Sequence, residues 1–101
     1  MPKKKKFPLK QTGITEDNKP IYGGIYKFYE TYGLPLDVIF ISFQEKDWVP
    51  DWVDFYLHAL KAGMDHNRII SKLDEAISDS FGKNWSHEVI VRLNKLFNSQ
   101  D

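Results

Sequence analysis

Between Tyr22 and Phe97 the chain is cut into short apolar segments by residues that stop or start helices: Gly33 and Pro35, Pro50, Gly63 and Asp65, and Gly82. Glycine just past a periodic run ends a helix in the left-handed conformation, and proline or aspartate just before one begins it. Few folds accept punctuation this dense. Linkers of only a few residues between amphipathic segments predict neighbouring helices in a small all-α bundle of four to five short helices.

The segments themselves carry helical periods. Tyr22, Tyr26 and Tyr29 fall at i, i+4, i+7, and Phe28 and Tyr32 at i, i+4, which predicts a short helix ending at Gly33. Pro35 opens the next segment, PLDVIFISFQEK, where β-branched and aromatic residues run without polar relief. A buried strand would fit it, but the stripe Leu36, Ile39, Phe40, Phe43 favours a helix over 35–46. Pro50 is expected to start a helix running to Lys61, with Trp52, Phe55, Tyr56, Ala59 and Leu60 on its apolar face. Asp65 is the expected N-cap of a helix with the stripe Ile69, Leu73, Ala76, Ile77, Phe81, and Met64 can staple onto Ile69. Ser86 is expected to cap the last helix, with Trp85 and Ile90 as its staple.

Residues 1–20 read differently. Three prolines interrupt them, no helical period appears, and the apolar residues are isolated, so they are expected to form an extended basic arm ahead of a single helical domain at 21–101. A short hairpin near 11–24, turning at Glu16–Lys19, is the alternative for the arm's second half. Six lysines against Glu16 and Asp17 give residues 1–19 four net positive charges; because the chain is neutral overall, the remainder carries four negative ones.

These totals exclude more than they assign. At 101 residues the chain makes one core, burying roughly 65% of its unfolded surface. Without cysteine it has no disulfide, thiol nucleophile or thiolate metal site, which fits a cytoplasmic protein. No apolar run is long enough for a membrane span, and MPKKKKFPLK lacks the apolar stretch of a signal peptide. The histidines His58, His66 and His87 form no zinc motif, and no glycine-rich phosphate loop or serine-nucleophile elbow is present. Asp47, Asp51 and Asp54 surround Trp48 and Trp52 in the manner of a sugar-cleaving carboxylate pair, but Asp51 and Asp54, near the helix start expected at Pro50, answer the exposed amides and dipole. No enzymatic activity, metal, cofactor or small-molecule substrate is therefore expected.

Two non-enzymatic readings remain. Aromatic residues make up 15% of the chain, a high share, and a short helix cannot hide every ring between Tyr22 and Tyr32. Tyr22, Tyr26, Tyr29, Tyr32 and Trp48, the last claimed by no stripe, are the expected contacts of a structural or adaptor subunit that packs in an oligomer or larger complex. Viral and mobile-element particles use many such subunits. The alternative is DNA binding. ALKAGMDHNRIISKL, Ala59 to Leu73, resembles part of a helix-turn-helix, which would place His66, Asn67, Arg68, Ser71 and Lys72 in the major groove, with Lys3, Lys4, Lys5 and Lys6 on phosphate. Lys72 stands where that motif wants a core residue, and Asp74, Glu75 and Asp79 follow it. The lysine run also reads simply as a solubilising tail.

Overall fold

The computed structural model describes residues 9–99. The chain enters through an antiparallel hairpin, β1 (Lys10–Ile14) and β2 (Pro20–Gly23). Thr15 N–H donates to Lys19 O at 2.9 Å and Asn18 N–H to Thr15 O at 3.0 Å, so the reversal lies at the polar turn. Asn18 holds φ 67°, a left-handed conformation that asparagine tolerates. Gln11 faces Tyr22 while Gly13 faces Ile21, so the register is irregular at Thr12 and β1 bulges there.

Two helices follow, α1 (Ile25–Tyr32) and α2 (Leu36–Glu45), before β3 (Val49–Pro50) returns parallel to β2. Ile21 lies beside Val49 and Tyr22 beside Pro50, and Asp51 N–H donates to Tyr22 O at 2.8 Å. Parallel strands need a crossover connection, and α1 with α2 supplies it. The sheet order is β1-β2-β3. Helices α3 (Trp52–Lys61), α4 (His66–Ser80) and α5 (Lys83–Asn98) complete the domain.

Among the described residues the domain is thus mostly helical, with five helices and a three-stranded sheet. The helical expectation holds, and segment 35–46 is a helix. The sheet amends the all-α reading: residues 10–14 and 20–23 are strands, paired as a hairpin in the stretch where a short one was the alternative, and the boundary drawn at residue 20 falls on the first residue of β2. A lone two-stranded hairpin is marginal in water; this one is held because β2 pairs with β3 and Ile21 and Tyr22 pack against the core. The run Lys3–Lys6 lies outside the described residues.

The core centres on α4, whose Ile69, Leu73 and Ile77 are fully buried and whose main neighbours are α5 and α2. α2 contributes Ile39 and Phe40, α3 contributes Phe55, Tyr56 and Ala59, and α5 contributes Val89 and Leu93. Trp52 is a core anchor, edge-on to Phe40 at 5.1 Å and to Phe81 at 5.6 Å.

Helix ends follow local chemistry at some places and tertiary demand at others. Gly63 (φ 103°) ends α3: its N–H reaches Leu60 O and Met64 N–H reaches Ala59 O, both at 3.0 Å, the paired bonds of a Schellman terminus. Asp65 caps α4, accepting from Arg68 N–H at 3.3 Å, as expected. Pro50, expected inside α3, instead belongs to β3; Asp51 is the cap, its carboxylate accepting Asp54 N–H at 3.1 Å. Ser86 is not a cap. α5 begins three residues earlier, after Gly82 at φ 103°, which places Trp85 inside the helix against Phe81 and Trp52. Ser86 is buried in the first turns, and its hydroxyl donates to Asp74 Oδ1 at 2.6 Å, joining α5 to α4. Tyr22, expected on the first helix, lies in β2.

Candidate functional site: an aromatic groove beside α2

The ambiguity of segment 35–46 has a structural cause. α2 is apolar on two faces: Leu36, Ile39, Phe40 and Phe43 are buried, while Val38 is 46% exposed and Ile41 37%, with Leu34 just before the helix at 39%. Val38 and Ile41 are spaced i, i+3 on the outward side of α2, and Leu34, in the linker before it, lines the same groove as Val38. A surface helix ordinarily carries polar residues there.

Beside these residues lies a groove of about 350 Å³. Ile39 and Phe43 line it from α2, Phe28 from α1, Tyr22 from β2, and Leu9 and Trp48 from the flanking segments. Its lining is almost wholly apolar; Ser42 and Lys46 are the polar members. The volume lies within the range of natural binding clefts, about 300–1,000 Å³.

Two devices position the rings. Tyr22 is held by the sheet, between Gln11 of β1 and Pro50 of β3. Trp48 is held by the end of α2. Asp47 takes φ 60°, its N–H donates to Gln44 O at 3.2 Å, and Trp48 N–H donates to Phe43 O at 2.9 Å. This is a second Schellman terminus, with aspartate in the left-handed position that glycine usually fills. Trp48 therefore lands edge-on to Phe43 at 5.6 Å and tilted against Tyr22 at 4.4 Å. It is half-buried, so the Trp48 corner is both a structural joint and part of an open surface.

The expected contact residues divide between two places. Tyr22 and Trp48 meet in the groove, and Tyr32, 41% exposed, packs its ring 4.8 Å from Phe28 at the groove's edge. Tyr26 and Tyr29 turn the other way, 5.7 Å and 6.1 Å from Phe55, and cover the core. Burial, then the charge of Glu30 and Tyr29, raises the Tyr26 phenol above its ordinary pKa. Phe28, Leu34, Val38 and Lys46 complete the groove unforeseen; the sign available in the sequence was the unrelieved apolar run of α2.

The aspartates around the tryptophans are engaged in structure. Asp51, besides capping α3, accepts from the Thr12 hydroxyl at 2.8 Å. Asp54 accepts Gly24 N–H at 2.7 Å, and His58 Nδ1 lies 2.9 Å from the Asp54 carbonyl and 3.3 Å from its carboxylate. Among the described residues no three acidic or imidazole side chains form a group able to hold a metal ion.

Of the residues expected on DNA, Asn67, Arg68 and Ser71 are exposed along the start of α4. His66 is drawn inward: its ring stacks on Phe97 at 3.9 Å, Nε2 lies 3.0 Å from Asn94 Oδ1, and Nδ1 lies 2.8 Å from the Tyr56 hydroxyl. Lys72 is partly buried and lines a shallow cavity with Asp37, Glu75 and Asp79. No described helix is long and apolar enough to cross a membrane.

No family model matches the chain, and no curated protein or solved structure is significantly similar to it. Its class rests on the fold: a small, mostly helical domain with a three-stranded sheet and an open aromatic groove.

Proposed function

We propose that the chain is a non-enzymatic interaction subunit, cytoplasmic, that packs into a homo-oligomer or larger complex through the groove beside α2. One observation carries this reading: exposed apolar residues, Val38 and Ile41, left on the outward face of a helix whose other face already fills the core, with exposed Leu34 in the linker just before it. Contiguous exposed apolar surface beside half-buried rings is costly in water and is retained where a protein partner covers it. Tyr22, Tyr32 and Trp48 supply rigid contact area there. Small subunits of viral or mobile-element particles are one setting for such a part.

Sedimentation velocity over a range of concentrations tests the reading. The chain alone should self-associate as concentration rises, because exposed apolar faces cover one another when no other partner is present, and Val38→Glu should weaken that association. A strict monomer whose behaviour Val38→Glu leaves unchanged counts against it.

A second reading, duplex DNA binding through α4, is favoured by the exposure of Asn67, Arg68 and Ser71 behind the Asp65 cap. Duplex DNA titrated at two salt concentrations, with Arg68→Ala and a Lys3–Lys6 deletion compared, decides it. Absence of binding even at low salt removes it.

A further inference from the structure

A second cleft, of about 520 Å³, lies where β1, α1 and α3 meet, and it shares no residue with the groove beside α2. We infer that it binds a phosphomonoester, the phosphate held by Lys10, Lys27, Lys61 and His58 and an apolar or aromatic body laid on the rest of the lining, which includes Tyr26 and Ala62. The volume falls within the range of ligand clefts, about 300–1,000 Å³, and leaves room for a body beyond the phosphate.

The placement of charge carries the inference. Residues 9–99 hold ten lysines and arginines against thirteen acids, so this part of the chain is acidic on balance. Three of its lysines nevertheless gather in one cleft from three separate elements: Lys10 from β1, opposite Gly23 in the hairpin, Lys27 from α1, and Lys61 from the last turn of α3. Among the described residues none of the three lies within ion-pair distance of a carboxylate. Ammonium groups gathered without partners repel one another, and a bound anion removes that cost. Lys27 adds a local conflict, because it stands in the first turn of α1, where the helix field favours an acid and none is present. Breaches of local preference such as this collect at functional sites.

The two carboxylates of the cleft do not cancel the lysines. Asp54 is turned to the protein's own donors: Oδ2 accepts Gly24 N–H at 2.7 Å, and Oδ1 lies 3.3 Å from His58 Nδ1. That nitrogen also lies 2.9 Å from the Asp54 carbonyl, so it faces two acceptors and carries a hydrogen. Nε2 is the ring nitrogen left for a ligand, and a protonated His58, braced by Asp54, donates from it. Three lysines against Glu30 and Asp54 leave one positive charge in the cleft, and a protonated His58 makes two. A phosphomonoester, carrying about −1.5 to −2 near neutral pH, matches that charge; a carboxylate or a phosphodiester, with one, leaves part of it unmet.

The choice of lysine points the same way. Each ammonium is a point charge with three donors that can serve any oxygen of a tetrahedral group, whereas a planar carboxylate is matched by the guanidinium fork, and no arginine lines the cleft. Single-stranded nucleic acid suits the site less, since lysines confined to one cleft hold one phosphate and make no track along a backbone.

The test uses the full chain, labelled with ¹⁵N and with its backbone resonances assigned. Phenyl phosphate, inorganic phosphate, sulfate, benzoate, a short phosphotyrosine peptide and an oligothymidylate are titrated in turn. Phenyl phosphate should give saturating shifts at Gly24, Lys27 and Lys61 and bind more tightly than inorganic phosphate, sulfate or benzoate. Lys27→Met and Lys61→Met should each weaken it about threefold, the size of an exposed charge pair, while Lys95→Met, at the far end of α5, leaves it unchanged. Both cleft lysines are exposed, so neither substitution disturbs the core. Tighter binding of the peptide than of phenyl phosphate places the phosphate on a partner protein, and equal or weaker binding places it on a small molecule; the inference holds in both cases. Equal affinities for sulfate, phosphate and phenyl phosphate that ignore the two cleft substitutions mean an adventitious ion only and overturn it. So does a failure of phenyl phosphate to bind, benzoate binding as tightly, or oligothymidylate binding more tightly at the same resonances. Sedimentation and Val38→Glu report on the groove alone, whose reading stands or falls apart from these outcomes.

Discussion

Trp48 and Phe43 meet edge to face, ring centroids 5.6 Å apart, because they occupy the two positions that a Schellman helix end brings together. The residue between that bond pair and the ring is Asp47, at φ 60°. An L-residue pays roughly 1–2 kcal/mol for the left-handed conformation, less for aspartate than for most. Asp47→Gly should therefore be neutral or stabilising, by up to about 1 kcal/mol, and Asp47→Val destabilising by about 1–2 kcal/mol. Urea denaturation of the two variants checks the sign. Destabilisation by glycine would mean that the Asp47 side chain matters more than its backbone.

Asp51 and Asp54 make separable contributions. Asp51→Ala removes a helix cap and the partner of Thr12, and should cost about 1–2 kcal/mol. Asp54→Ala frees the Gly24 N–H, which should cost a similar amount, about 1–2 kcal/mol, as a hydrogen bond to a charged group does. Gly23→Ala should mimic Asp54→Ala in part, because a Cβ there would lie 3.1 Å from Asp54 Oδ2 and 3.0 Å from Thr12 Cγ2. Stabilities from denaturant midpoints settle the ranking.

The Ser86–Asp74 bond joins α5 to α4 across twelve residues. Ser86→Ala should lower stability by about 1–2 kcal/mol, since it removes a buried hydroxyl from a carboxylate. With Asp74→Ala as second substitution, a double-mutant cycle should return a coupling energy well above zero. Simple additivity would show that the two side chains act independently.

Tyr56 is fully buried, and burial raises its phenol above the ordinary tyrosine pKa. The folded state then holds this proton more tightly than the unfolded state does. Its contribution to stability is complete below about pH 10, where an unfolded tyrosine titrates, and is lost as pH rises through the higher folded value. Denaturation midpoints should fall above about pH 10, and fall less steeply in Tyr56→Phe. The same variant leaves His66 Nδ1 without its partner, so its midpoint near neutral pH should already lie lower than that of the unsubstituted chain.

The contrast between Asp65 and Ser86 shows what the sequence could reveal. Asp65 caps α4 through a bond three residues away, and the stripe Ile69, Leu73, Ala76, Ile77 buries as its period predicts; both follow from neighbours along the chain. Ser86 looked equally local, yet its partner is Asp74 on another helix, and α5 really starts at Lys83, just after a glycine whose φ cannot be read from its neighbours. Pro50 failed for the same reason, its strand existing only by pairing with residues nearly thirty positions earlier. The groove was half legible. Trp48 stood out as a ring without a stripe and Tyr22 as one of a crowded set of rings, but Phe28, Val38 and Lys46 join them only once the crossover has formed.

That crossover has a mechanical meaning. β2 and β3 clip together the two ends of the segment that contains α1 and α2, through the Ile21–Val49 and Tyr22–Pro50 pairings and the Asp51–Tyr22 bond. Much of the groove, Tyr22, Phe28, Leu34, Val38 and Phe43, belongs to this one loop with its ends fastened. A break in the backbone at the exposed Gly33–Leu34–Pro35 link would leave both pieces fastened at the sheet, with the groove's rings still facing one another.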